Sequence, residues 1–167
     1  CSNCVKIQSL ENLPKLLKSL NCKHCNITTL DNLPNKLTHL DCSFCEKIVL
    51  LDNLPSGLIY LNCMNCNIIN LDYLPANLEM LLCSHNKNLT SLNCLPLSLT
   101  GLECSNINVE YLYLPNGLKY LYCKCNKINS LKNAPENLPE HIKELYDSFD
   151  NTTVFYNLPP NIKIYID

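Results

Sequence analysis

The dipeptide Leu-Pro recurs at positions 13, 33, 54, 74, 95, 114, 138 and 158, in steps of 20, 21, 20, 21, 19, 24 and 20 residues. A self-similar period near 20 is the mark of a solenoid, in which each unit buries its apolar face against its neighbours. One unit, starting at Leu13, reads L-P-K-L-L-K-S-L-N-C-K-H-C-N-I-T-T-L-D-N. Its apolar positions are Leu17, Leu20, Cys22, Cys25 and Ile27, and the next units repeat them as Leu37, Leu40, Cys42, Cys45, Ile48 and as Leu58, Leu61, Cys63, Cys66, Ile68. The short stretch around Leu20 and Cys22 alternates with period two, which predicts a strand with these two side chains inward and Asn21 and Lys23 outward. Equivalent strands then stack in parallel about 4.8 Å apart. A coil of 20 residues has no room for a helix after its strand and turn. Each return path is therefore extended or a brief turn, stiffened by Leu-Pro. The units Cys45-Glu46-Lys47-Ile48 and Asn86-Lys87-Asn88-Leu89 each hold one extra residue, which is expected to sit in a turn.

The 13 cysteines must be weighed against this period. Four pairs read C-x-x-C (Cys1/Cys4, Cys22/Cys25, Cys42/Cys45, Cys63/Cys66), a spacing that ordinarily points to zinc. Here the pairs follow the repeat. Cys1, Cys22, Cys42, Cys63, Cys83, Cys104 and Cys123 fill one column. Cys4, Cys25, Cys45 and Cys66 fill a second, which Asn86, Asn126 and Asp150 continue. Each C-x-x-C spans a strand and its turn, and no pair meets a partner pair within a finger-sized unit. The cysteines are thus expected to be buried core thiols, with those of the second column donating to turn carbonyls as Asn would. No metal and no cofactor is expected. Stacked coils bring cysteines within bridging distance, but core thiols in an odd total favour a reduced state and a reducing compartment. Cys94 and Cys125 fall off both columns and are expected to be the accessible thiols.

Composition narrows the function. The formal net charge is −2, 17% of residues are charged and 47% are hydrophobic. That balance gives no reason to invoke nucleic acid or an anionic membrane, and no apolar run is long enough to span a bilayer. All 13 basic residues are lysine, so the bidentate guanidinium that best reads phosphate is missing. His24, His39, His85 and His141 are the only histidines. His24 adjoins Cys25, but adjacent residues on a strand and its turn point to opposite sides, so they make no nucleophile–base pair. No Gly-rich phosphate loop, G-x-S-x-G or H-E-x-x-H occurs, and the chain is expected not to be an enzyme. The three N-x-S/T sequons are what chance gives with 25 Asn and 18 Ser plus Thr.

The outward slots of each strand and its turn form the candidate surface. They include Lys18, Ser19, Asn21, Lys23 and His24 in one unit and Thr38, His39, Asp41, Ser43 and Phe44 in the next. Ser84 and Ser105 occupy the slot of Ser43 in later units. Phe44, Ile59, Tyr60, Met64, Met80 and Leu82 fall on three adjacent strands, with Tyr120 and Tyr122 two strands further on. Aromatic residues and Met clustered on a solvent face are the composition of a protein interface. These eight residues are the expected protein-binding site.

The pattern L-P-x-x-L-x-x-L-x-C-x-x-C/N-x-I resembles the leucine-rich repeat superfamily in its short form. It is most similar to the Asn- and Cys-rich repeats of giant, mimivirus-like viruses of amoebae, and similar in repeat length to the Leu-Pro repeats of secreted bacterial effectors. Bacterial effectors of that type usually carry Val or Leu where this chain has Cys, which favours the viral branch. The resemblance implies a single horseshoe domain over 1–167, with a parallel sheet on the concave face and extended or turn segments on the convex face. It would hold about seven coils, with a partial repeat at 1–12 and degenerate repeats or a cap at 132–167. It implies a non-catalytic module that binds a host or viral protein partner on the concave sheet, in the host cytoplasm or virion. Two alternatives stand beside it: a structural component of a viral particle, and the substrate-recognition region of a larger effector of ubiquitin-ligase type. The chain opens at Cys1 in mid-coil, so a capping segment before it is expected, since solenoid ends expose core unless capped.

Overall fold

The computed structural model describes residues 6–109 and 114–123, together with the strand backbones at 144–147 and 163–166. The period-two stretches form β1 (Ser19–Asn21), β2 (His39–Asp41), β3 (Tyr60–Asn62), β4 (Met80–Leu82), β5 (Gly101–Glu103), β6 (Tyr120–Tyr122), β7 (Glu144–Asp147) and β8 (Lys163–Ile166). All pair in parallel, in chain order, within one sheet. The central leucines hold the register: Leu20 lies opposite Leu40, and the column continues through Leu61, Leu81, Leu102 and Leu121 to Leu145. A slip by one residue would turn this whole column to solvent, so the core itself fixes the pairing.

Each strand is only three residues long over β1–β6, yet its ladder runs further. The carbonyl before the strand accepts two N–H groups of the next coil, as Lys18 O does from Thr38 N at 2.8 Å and His39 N at 3.1 Å. Beyond the strand, Cys22 N donates to Asp41 O at 2.8 Å and His24 N to Ser43 O at 3.0 Å. The same bonds recur coil after coil, which leaves few buried backbone groups unpaired.

Leu-Pro places the return. In every described coil the Pro carbonyl accepts from the N–H three residues on, from Pro14 O with Leu17 N at 3.0 Å to Pro115 O with Leu118 N at 3.1 Å. Proline cannot donate to a ladder, so it marks where the chain leaves one coil and turns into the next. Just before it, Asn12, Asn32 and Asn53 adopt left-handed φ of 61–62°. Asn tolerates that region, because its short side chain meets little steric cost there. The extra residues of the longer coils are taken up as predicted, in turns closed by Ile48 N to Cys45 O at 2.9 Å and Leu89 N to Asn86 O at 3.0 Å. The neighbouring shorter coils clamp these turns: Asn67 Nδ2 donates to Glu46 O and Asn108 Nδ2 to Lys87 O.

The core fills the space between sheet and return path with leucine, isoleucine and cysteine columns, most of them fully buried. Cys22, Cys42, Cys63, Cys83, Cys104 and Cys123 are buried in the first column and Cys25, Cys45 and Cys66 in the second, all as free thiols. Cys94 is exposed, as its off-column position required. Among the described residues no group of three metal-binding side chains converges. The expected positions Cys1, Cys4, Cys125, Asn126 and Asp150, and all of 132–167 apart from β7 and β8, lie outside the described residues.

Candidate protein-interaction face

Parallel pairing in constant register converts sequence periodicity into surface columns. The first outward residue of each strand stacks on its counterpart, giving the order Ser19, His39, Tyr60, Met80, Gly101, Tyr120. Within this column the His39 and Tyr60 rings stack with centroids 5.9 Å apart and planes 20° apart. Met80 lies over Gly101: a Cβ built there would come within 2.4 Å of the Met80 methyl carbon and 3.8 Å of the Tyr120 ring. The missing side chain at 101 is thus the space that Met80 fills, and the column runs without a break from His39 to Tyr120. The second outward column is Asn21, Asp41, Asn62, Leu82, Glu103, Tyr122. The Tyr120 hydroxyl donates to Glu103 Oε1 at 3.3 Å, tying the two columns together. Burial, and then the charges of Asp41 and Glu103, raise the Tyr60 hydroxyl above its usual pKa.

The eight residues predicted for the interface therefore fall into four places. Tyr60, Met80 and Tyr120 share the first column, and Leu82 and Tyr122 share the second; all five are half-buried. Ile59 stands at the strand entrance, where its carbonyl accepts from Glu79 N at 2.9 Å and Met80 N at 3.1 Å. Phe44 and Met64 lie past the strand ends, in the turns. Phe44 holds a left-handed φ of 60° in a slot shared with His24, Asn65, His85 and Asn106, all of positive φ. Its ring stacks on His24 at 4.4 Å, and Lys23 Nζ lies 5.0 Å from its centroid. His24 and Cys25 accordingly part company: the imidazole lies on Phe44 and the thiol is buried.

One part of the outward reading is corrected. Ser43, Ser84 and Ser105 are buried. The chain turns immediately after the ladder cysteine, and a side chain as short as serine folds back into that turn. Ser43 Oγ donates to Asp41 Oδ1 at 2.6 Å, and Ser84 Oγ accepts from Ser105 N at 2.9 Å. Lys23 and Met64, in the same slot, are too long to fold back and stay half-buried. Two outward positions left out of the expected eight, His39 and Gly101, also contribute to the face. The signal for both was present in the register, since His39 aligns with Tyr60 and Gly101 with the long, flexible Met80.

Behind the face, the second column does polar work. Cys45 Sγ donates to Cys22 O at 3.2 Å and Cys66 Sγ to Cys42 O at 3.3 Å. Asn86 takes the same position one coil further on. Its Nδ2 donates to Cys63 O at 2.9 Å and Cys83 O at 2.8 Å, and its Oδ1 accepts from Ile68 N at 2.9 Å. The first column is nearly apolar, with Sγ to carbonyl distances of 3.5 Å at Cys22, Cys42 and Cys63. A hydrogen bond with Cys66 and burial hold Cys42 well above the usual thiol range. Burial, with the neighbouring Cys83 and Cys66, does the same for Cys63. Burial and then Glu103 push Cys83 up to about 12.

No family model matches the sequence, and a search of the curated proteins returns no match. Solved structures do match. The chain is similar to YopM, a leucine-rich effector protein from Yersinia pestis, with 34% identity and a TM-score of 0.70 over 81% of this chain and 37% of YopM. It is similar to a Shigella effector leucine-rich repeat domain at 24% identity and a TM-score of 0.68, over 91% of this chain and 64% of that one. InlJ from Listeria monocytogenes, whose functional domain includes a cysteine ladder, matches at 24% identity and a TM-score of 0.51, over 85% of this chain and 37% of InlJ. The chain thus spans less than two thirds of the length of each. A cysteine column occurs in a bacterial protein, so cysteine in the third leucine position does not by itself separate a viral branch from bacterial repeats. The parallel sheet in chain order, the buried leucine and cysteine columns and these three neighbours together make the chain a leucine-rich repeat solenoid of the horseshoe type.

Proposed function

We propose that the chain is a non-catalytic protein-binding module whose concave sheet face holds the partner. The observation that carries this is the unbroken column from His39 through Tyr60 and Met80 over Gly101 to Tyr120. Half-buried aromatic and Met side chains set on a rigid sheet lose little entropy on binding and supply the contacts that dominate protein interfaces. The likeness to YopM, a leucine-rich effector, supports an interaction role. The test is affinity capture with the wild-type chain and with a Tyr60→Ser, Met80→Ser double variant, read by mass spectrometry. The variant keeps the far-UV circular dichroism of the wild type, because neither side chain belongs to the core. Proteins captured by the wild type are expected to fall at least about tenfold with the variant, as loss of two interface anchors implies. An unchanged set of captured proteins would sink the concave assignment.

A further inference from the structure

The charges on this face are unevenly placed. Lys18 and Lys23 flank β1, and Lys119 precedes β6. Between them, the outward positions of β2 to β5 and the residues immediately before these strands carry Asp41, Glu79 and Glu103 and no lysine, while Lys47 and Lys87 lie further on, in the turns. Asp41 closes β2 and Glu103 closes β5, in the column that also holds Leu82, while Glu79 stands beside Met80 at the entrance to β4. Two of the three carboxylates are held in place by neutral donors. Asp41 Oδ1 accepts from Ser43 N at 3.0 Å and Ser43 Oγ at 2.6 Å, and Glu103 Oε1 accepts from the Tyr120 hydroxyl. Neutral donors orient a carboxylate without cancelling its charge, and among the described residues no lysine forms an ion pair with these three. Burial, and then Asp41 and Glu103, raise the Tyr60 hydroxyl, which places both carboxylates within electrostatic reach of the centre of the face. Net charge does not explain it, since the whole chain carries only −2.

From this charge complementarity, and resting on the concave-face reading above, we propose that the occupant is a cationic amphipathic protein segment. Its Lys or Arg side chains meet Asp41, Glu79 and Glu103, while its apolar side chains lie along Tyr60, Met80 and Leu82. Opposed charge around an apolar centre selects partners and speeds their arrival more than it adds raw affinity. Such binding weakens with added salt.

The experiment is selection from a display library of random 12-residue peptides on the full-length chain. Peptides enriched on the wild type are expected to be net positive, with Lys or Arg spaced by aliphatic or aromatic residues, and to lose about tenfold or more in binding between low and high salt. On an Asp41→Asn, Glu79→Gln, Glu103→Gln variant the positive bias is expected to vanish. On a variant with the same charge change placed away from the face (Glu11→Gln, Asp31→Asn, Asp72→Asn) it is expected to persist. A neutral or acidic enriched pool, no enrichment at all, or a positive bias that survives the three-residue change on the face would each overturn the proposal. The Tyr60→Ser, Met80→Ser variant separates this failure from that of the broader reading. If a neutral pool is lost on that variant, the face binds protein but not by charge. If a pool of any charge is retained, the face itself is wrong.

Discussion

Over the coils from Cys22 to Cys66 the two cysteine columns stand three residues apart and do different work. In the first, Cys22, Cys42 and Cys63 point into the leucine core and touch carbonyls only at 3.5 Å. They behave as small hydrophobes. In the second, Cys45 and Cys66 approach the carbonyl of the preceding coil to 3.2 and 3.3 Å, and Asn86 replaces them with three full hydrogen bonds. One residue type thus fills two roles, and only the second tolerates replacement by a polar side chain. The reason is the backbone behind it. Where the chain leaves the strand for the turn, carbonyls of two successive coils face inward and need a donor.

Alkaline pH separates the columns most strongly. Cys42, held by its hydrogen bond with Cys66 and by burial, Cys63, by burial and its thiol neighbours, and Cys83, by burial and Glu103, all have folded-state values raised against an ordinary 9.0. A raised value means the neutral thiol is favoured in the fold. The stability it contributes is complete below pH 9 and is lost as pH rises towards the folded value. Each such thiol is expected to cost about 1.4 kcal/mol by pH 10, and the three together about 4 kcal/mol. Urea midpoints measured from pH 7 to 10 should stay level to pH 8 and then fall. A Cys63→Ala, Cys83→Ala variant should show a shallower fall, and an equal slope would remove the first column from the explanation.

Asn86→Ala comes next. It leaves the Cys63 and Cys83 carbonyls and the Ile68 N–H without their partner and is expected to cost about 3 kcal/mol in urea unfolding. A loss below about 1 kcal/mol would mean that water takes over these bonds.

Serine scanning compares the columns directly. Cys63→Ser buries a hydroxyl among leucines and is expected to cost about 1–3 kcal/mol. Cys45→Ser retains a donor towards Cys22 O and is expected to cost less than about 1 kcal/mol. Equal costs at both sites would erase the distinction.

The smallest effect lies outside both columns. Cys94 is exposed, and its hydrogen bond with Asp72, followed by desolvation, raises its thiol. Among the cysteines of the described residues it should be alkylated first under native conditions. Asp72→Asn should speed that reaction at neutral pH by freeing the thiolate, while Cys94→Ser should leave the urea midpoint unchanged. Labelling of Cys63 ahead of Cys94 in peptide maps would contradict the burial pattern.

The architecture was legible because one period governs everything. The spacing of Leu20, Leu40 and Leu61 fixed coil length, strand position and the inward direction of both cysteine columns. The outward columns were legible as far as strand alternation extends, which is why Tyr60, Met80 and Tyr120 fall in line. Alternation stops at the ladder cysteine, where the backbone enters a turn. Past that point outward and inward no longer follow from counting, and Ser43, Ser84 and Ser105 were misread for that reason. The packing of Met80 over Gly101 was illegible for another: it depends on which residue stands in the next coil, about 20 positions away, and not on local pattern.

Each strand pairs with its immediate neighbours in the chain, and nothing in this sheet closes on itself. The consequence is an architecture whose length is a free variable. Excising residues 54–73, one whole unit, would bring Leu40 opposite Leu81 with the same turns and the same inward columns on either side. Duplicating a unit would insert a strand just as readily. A chain built this way gains or loses outward residues one coil at a time, while the inward columns keep their register. The outward face is then the part free to vary, and the leucine and cysteine columns are the frame that lets each variant fold.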